Sequence, residues 1–277
     1  MEIIVKPSGQ SCGASVTGVD LTNELSTEVV TQIRAAWLEH KVLSFPGQHM
    51  SDDDLERFTL YFGDFGDDPF IAPIPGRKNI IAVQRKADET TKLFAENWHT
   101  DWSFQERPPA GTCLFGINIP PSGGDTLFAN QVQAYESLSD GLKDTLATLN
   151  IICRPDKAVA MATRADRIAE KGRDTSEDSL IGIHPVIRTH PETGKKALYI
   201  NQAHSCHFQG WSIAESDGLL TFLYAHQIRE EFQCRHVWRK GDVAIWDNRC
   251  TLHYPVNDYH GHRRLLHRIT LKGDKPV

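Results

Sequence analysis

No stretch of this chain is apolar for long enough to span a bilayer, so no membrane partner is expected. The opening residues, Met1-Glu2-Ile3-Ile4-Val5-Lys6, lack the basic-then-apolar layout of a secretory signal and read as a first strand. There is no C-x-x-C pair. Cys12, Cys113, Cys153, Cys206, Cys234 and Cys250 lie scattered, and a disulfide scaffold is not expected in a chain of 277 residues. The thiols are therefore read as reduced and mostly buried, in a cytoplasmic protein. Positive charge is in deficit: 30 Lys and Arg face 36 Asp and Glu, a net charge of −6, which argues against nucleic acid as a partner. Any affinity for a small anion must then come from a few local cations. Internal repeats and low-complexity stretches are also missing, and residues 1–277 read as one domain.

What is present is ordinary for a globular protein, with 40% apolar and 24% charged residues. Ser26 caps a helical spacing of Val29, Val30, Ile33, Ala36 and Trp37 that runs to His40. Lys41 to Phe45 reads as a buried strand. Ser51-Asp52-Asp53-Asp54 opens a second helix, its acidic residues suiting a helix N-terminus better than a metal site. Residues 66–78 are loop-like. Strands are expected at 79–83, 112–119, 125–129, 196–201, 243–246 and 263–272, two short helical pieces at 131–149, and a long amphipathic helix at 215–232. Residues 156–180, rich in charge and small side chains, are read as either an active-site lid or a solvated insertion. Many short strands with Gly and Pro turns and a few helices fit a mainly β fold with flanking helices: a double-stranded β-helix, the cupin-like jelly roll.

The chemistry concentrates in Trp98-His99-Thr100-Asp101. On an extended strand, residues two apart share a face, so His99 and Asp101 are expected to offer two ligands to one metal from one short strand. A third comes from His253, in Trp246-Asp247-Asn248-Arg249-Cys250-Thr251-Leu252-His253-Tyr254, completing the two-His, one-carboxylate set that holds non-haem Fe(II) with open positions. Beyond it, Arg264, Leu266 and Arg268 share one face of a strand, so two guanidinium groups point into the same cavity. Arginine suits that place because its planar fork grips carboxylate or sulfonate oxygens in pairs. The remaining histidines, among them His204, His207, His260, His262 and His267, are read as surface or packing residues, and Trp98 as core.

The segments W-H-T-D, P-P-S-G-G-D-T, W-D-N-R-x-x-x-H-Y and N-D-Y-x-x-x-R-R-x-x-x-R together resemble the taurine dioxygenase and aryloxyacetate dioxygenase (TauD/TfdA) family of Fe(II)- and 2-oxoglutarate-dependent oxygenases. The resemblance runs from the first helix to the final strand. It implies His99, Asp101 and His253 as iron ligands, Thr126 and Arg264 on the far carboxylate of 2-oxoglutarate, and Arg268 beside the substrate anion. Dioxygen completes the cosubstrates. Asp101 fills the position that a halogenating relative leaves to halide, so hydroxylation is expected. Hydroxylation at a carbon bearing a heteroatom would release sulfite, sulfate or a phenol.

The family pattern also breaks. Taurine dioxygenase has a sulfonate-holding His in the loop matching residues 66–78, which here reads Asp67-Asp68-Pro69-Phe70-Ile71-Ala72-Pro73. An Asn two residues before Asn97 is replaced by Ala95. Trp102 and Phe104 add aromatic bulk. With Asn97 and Trp102 as further substrate-side candidates, these departures favour a small anionic substrate with a larger apolar body than taurine: a sulfonate, an alkyl sulfate or an aryloxyalkanoate. A homo-oligomer is expected. Two rivals share these residues: a zinc hydrolase on the same triad, and a non-catalytic jelly roll that only binds the anion.

Overall fold

The computed structural model describes residues 3–90, 92–93, 95–157, 160 and 180–277. Its elements are, in chain order, β1 (Ile4–Pro7), β2 (Ala14–Thr17), α1 (Thr27–His40), β3 (Val42–Phe45), α2 (Asp52–Leu60), β4 (Ile81–Arg85), β5 (Gly111–Asn118), β6 (Thr126–Asn130), α3 (Gln131–Glu136) and α4 (Asp140–Leu146). There follow β7 (Asn150–Cys153), β8 (Gly182–Pro185), β9 (Ile187–Thr189), β10 (Lys196–Leu198), β11 (Ser205–Phe208), α5 (Ile213–His226), β12 (Gln233–His236), β13 (Val243–Asp247), β14 (Thr251–Pro255) and β15 (Arg264–Thr270). Almost all of the possible lid, residues 156–180, lies outside the described residues.

Seven strands form one large sheet in the order β1-β2-β3-β13-β5-β15-β4, and β12-β6-β14 form a smaller one. The alternation of strand side chains decides what each face meets. On β13, Val243 and Ile245 join the core under the helices, with Ile33, Trp37 and Phe58 from α1 and α2. Ala244 and Trp246 point the other way and pack with Leu114 of β5, Leu266 of β15 and Phe128 of β6. That second cluster is the filling between the two sheets, and the candidate site opens beside it. Replacing fully buried Leu266 by Ala would cost on the order of 2–5 kcal/mol.

The helix starts follow capping chemistry. Ser26 accepts from the backbone N–H of Val29, and Ser51 with Asp54 closes a capping box on α2. The acidic run Asp52–Asp54 is thus a helix N-terminus. The expected helix at 215–232 starts two residues earlier and stops at His226, because Ser212 and Glu215 close a second capping box. The chain then passes through a short 3-10 turn into β12, a strand that sequence reading missed. Trp98 is half-buried rather than core, lying 5.6 Å from the ring of Tyr254. Five of the six free cysteines are buried. No described helix is long and apolar enough to cross a membrane.

Candidate active site

His99 does not sit on a regular strand. It forms a single antiparallel bridge to His253 on β14, with His99 N–H donating to the His253 carbonyl at 3.1 Å and His253 N–H returning the bond at 2.8 Å. The chain turns at once, with Asp101 opening the turn and Trp102 at φ 45°. The imidazole and carboxylate therefore converge through a turn, not through the pleat of a strand, which corrects the expectation. The bridge also explains how two remote segments meet: each His aligns the other's backbone.

The donor atoms of His99, Asp101 and His253 all lie within 4.8 Å of one another, and all three residues are buried. His99 Nε2 and His253 Nε2 are each 3.9 Å from Asp101 Oδ1. The other ring nitrogen of His99, Nδ1, is 2.7 Å from the Asn97 carbonyl, which can only accept. That contact fixes the tautomer and leaves Nε2 with its lone pair for a metal. Asp101 Oδ2 is held from behind by Thr112 Oγ1 at 2.5 Å and Asn248 Nδ2 at 3.3 Å. Asn248 is itself fixed by the indole of Trp246 at 2.8 Å.

Charge states suit the same purpose. Burial pushes the Asp101 carboxyl up, but the attraction of His253, Arg268 and His99 and the Thr112 hydrogen bond hold it down at about 2. Burial, with His99 alongside, drives His253 down to about 3 against the pull of Asp101. At neutral pH the site thus offers an ionised carboxylate and a neutral His253 imidazole, the forms that bind a metal. The donor set fits a divalent ion of the facial-triad kind.

Thr126, Arg264, Arg268 and Trp246 line one cavity with His99 and His253. The burial alternation of β15 confirms that Arg264, Leu266 and Arg268 point inward, while Arg263 is exposed. Arg264 has no carboxylate within ion-pairing distance among the described residues. Its guanidinium lies 5.9 Å from the ring of Trp238 and 5.8 Å from that of Tyr259. The nearby Asp125 is engaged by Arg235 at 2.7 Å. Burial lowers the pKa of Arg264, yet a guanidinium stays charged in proteins. Trp238 Nε1 donates to Thr126 Oγ1 at 2.9 Å, which leaves the threonine proton to point elsewhere.

Arg268 is different: it forms a buried ion pair with Asp68 in the 66–78 loop. Its guanidinium lies 5.1 Å from the ring of Trp102, which is buried. Asn97 is half-buried and contributes its backbone carbonyl to His99. Thr112, Asn248, Asp68, Trp238 and Tyr259 escaped sequence reading. For Asn248 and Tyr259 a signal existed, inside the W-D-N-R and N-D-Y segments.

A second buried cluster, His190, Asp247 and Cys250, also meets the spacing for a metal. Its carboxylate and imidazole are already engaged. Arg249 grips both Asp247 oxygens at 2.8 and 2.7 Å, and His190 Nε2 lies 2.9 Å from Oδ2. This is a structural ion pair. Among the histidines read as surface or packing residues, His204 lies 3.0 Å from the Ser103 hydroxyl and His267 2.7 Å from Asp52.

A jelly roll with a buried two-His, one-carboxylate cluster and a cation-bearing cavity defines the class of non-haem metal oxygenases. The family model "Taurine catabolism dioxygenase TauD, TfdA family" matches residues 4–270, and the chain belongs to that family. It is 34% identical to an alpha-ketoglutarate-dependent sulfate ester dioxygenase of Pseudomonas putida, over all of this chain and 92% of the relative. A taurine dioxygenase structure from Burkholderia xenovorans superposes with a TM-score of 0.84 at 33% identity, covering all of this chain and 91% of that one. The structure of AAD-2 in complex with Mn(II) and N-oxalylglycine superposes with a TM-score of 0.81 at 26% identity, covering all of this chain and 99% of that one.

Proposed function

We propose that the protein is an Fe(II)- and 2-oxoglutarate-dependent dioxygenase that hydroxylates a small anionic organic substrate, with succinate and CO2 as coproducts. The observation that carries this reading is that the His99, Asp101 and His253 cluster opens through its two imidazoles onto the same cavity as Arg264, a buried cation with no carboxylate partner among the described residues. A buried cation without a countercharge is costly, and a site tolerates it when an anionic ligand supplies the missing half.

Bound iron, with 2-oxoglutarate and dioxygen, supplies the oxidising power that no side chain has. His99, Asp101 and His253 hold the metal. Arg264 takes the far carboxylate of 2-oxoglutarate, and the Thr126 hydroxyl, already accepting from Trp238, donates its own proton to the same group. Arg268, Trp102 and Asn97 form the substrate side. Fixed placement of the substrate C–H supplies much of the rate. The sulfate ester dioxygenase relative favours a sulfate ester among the three substrate classes. Residues 1–277 act as one domain, and the free thiols support a reducing, cytoplasmic setting. A zinc hydrolase on the same triad has no use for Arg264.

The test is direct. Anaerobic addition of Fe(II) and 2-oxoglutarate to chelator-stripped protein should give a weak visible charge-transfer band, and a sulfate ester should then drive succinate formation in air. Zn(II) in place of Fe(II) should give neither. Folded protein that shows no band and gains hydrolytic activity with Zn(II) would overturn the reading.

A further inference from the structure

We propose that Asp68 is a specificity-determining residue: its carboxylate occupies the Arg268 guanidinium, and a substrate anion has to compete with it for that cation. This deepens, and rests on, the dioxygenase reading above.

Both partners of the pair are buried, with side chains 7% exposed for Arg268 and 0% for Asp68. Asp68 divides its two oxygens between two tasks. Oδ1 accepts from the backbone N–H groups of Phe70 and Ile71, both at 2.8 Å, which folds the loop around the carboxylate. Oδ2 faces Arg268. Phe70 pins the loop by packing edge-on against Trp102 at 5.6 Å and beside Phe104 at 5.5 Å. The Arg268 guanidinium lies 5.1 Å from the same Trp102 ring. Loop, aromatic shelf and cation are therefore one unit.

The charge count around Arg268 has a consequence for the ligand. On its other side, Nη1 is 4.0 Å from Asp101 Oδ1, the oxygen that faces the two imidazoles. Once Asp101 is committed to a metal, Asp68 alone decides whether the substrate meets a bare cation or a neutralised one. A neutralised guanidinium holds a compact anion poorly. A substrate with an apolar body gains what the anion loses, because Val83 and Leu114 line the same cavity. The pair thus selects amphiphilic monoanions, such as alkyl sulfates of several carbons, over compact zwitterions such as taurine.

Asp68→Asn isolates the charge, since the amide oxygen can still accept from Phe70 and Ile71. Hexyl sulfate is titrated calorimetrically into wild-type and variant protein loaded anaerobically with Fe(II) and 2-oxoglutarate, and its KM and kcat are measured in air. The variant should bind hexyl sulfate about tenfold more tightly, the scale of a desolvated charge contact. Its KM should fall in parallel, with kcat within about twofold. If D68N does not fold, Asp68→Ser keeps a turn-capping oxygen and serves the same comparison. Unchanged or weaker binding in a folded variant, or no binding in either protein, overturns the proposal. Failure of the dioxygenase reading shows separately, as no visible band on loading. The titration is then repeated with Zn(II) on the same triad, which engages Asp101 and still compares Arg268 facing the Asp68 carboxylate with Arg268 facing the amide.

Discussion

Thr112 donates to Asp101 across 2.5 Å and so turns one oxygen of that carboxylate away from the imidazoles. Its partner Asn248 reaches Thr112 Oγ1 at 2.9 Å and the same Asp101 oxygen at 3.3 Å. Three side chains from β5, the turn after His99 and the segment after β13 thus lock a single ligand atom, Oδ1, toward the site. Outer contacts of this kind tune metal affinity as strongly as many ligands do. Thr112→Val keeps the volume and removes the hydroxyl. Its Fe(II) dissociation constant is expected to rise by about 10- to 100-fold with an unchanged circular dichroism spectrum. Metal titration of the stripped protein checks this, and wild-type affinity would remove Thr112 from the account.

Gly124 has φ 72°, and a Cβ there would lie 3.1 Å from both Cδ and Nε of Arg264. Glycine is needed for the backbone conformation and for the space beside the guanidinium. Gly124→Ala should therefore raise the KM for 2-oxoglutarate by about tenfold through a displaced Arg264, and Arg264→Met by about a hundredfold or more through loss of the charge. Titration of the visible band with 2-oxoglutarate at fixed Fe(II) reads both. A G124A protein with normal 2-oxoglutarate affinity would show that Arg264 has more freedom than the packing implies.

Acid should destabilise the fold before it protonates ordinary carboxylates. Burial holds His184 down at about 4, and His236 likewise at about 4 with Arg264 adding to the effect. Below about pH 6.5 the unfolded chain binds protons at both histidines while the folded chain does not, so stability rises with pH in that window. As pH drops from 6.5 toward 4 this contribution is lost, at up to about 1.4 kcal/mol per pH unit for each histidine. Urea unfolding of metal-free protein between pH 7 and pH 5 measures it. His236→Gln should flatten the slope, and an unaltered slope would exclude His236 as a source.

The sequence exposed the His99, Asp101 and His253 cluster because metal chemistry restricts residue types, and it exposed the inward face of β15 because burial alternates from Arg264 to Arg268. It did not expose the turn at Asp101. An H-x-D pair looks the same on a pleat and on a bridge followed by a turn, and only the long-range pairing of His99 with His253 decides between them. The capping boxes of α2 and α5 fix the helix starts: Glu215 is the third residue of α5 and not its first, because its side chain reaches back to Ser212. Asp68, Thr112 and Trp238 act on residues 200, 11 and 112 positions away, through single hydrogen bonds. Such contacts carry no periodicity, so no local pattern announces them.

Arg264 and Arg268 are both rooted in β15, about 13 Å apart along the chain at four strand steps. The end nearer Arg264 is walled by the sheets and by the turn at Gly124, whereas the end nearer Arg268 is closed by the 66–78 loop. The two ends therefore rest on different parts of the chain. Substitution in the 66–78 loop changes what sits against Arg268, while Arg264 and its surroundings stay as they are.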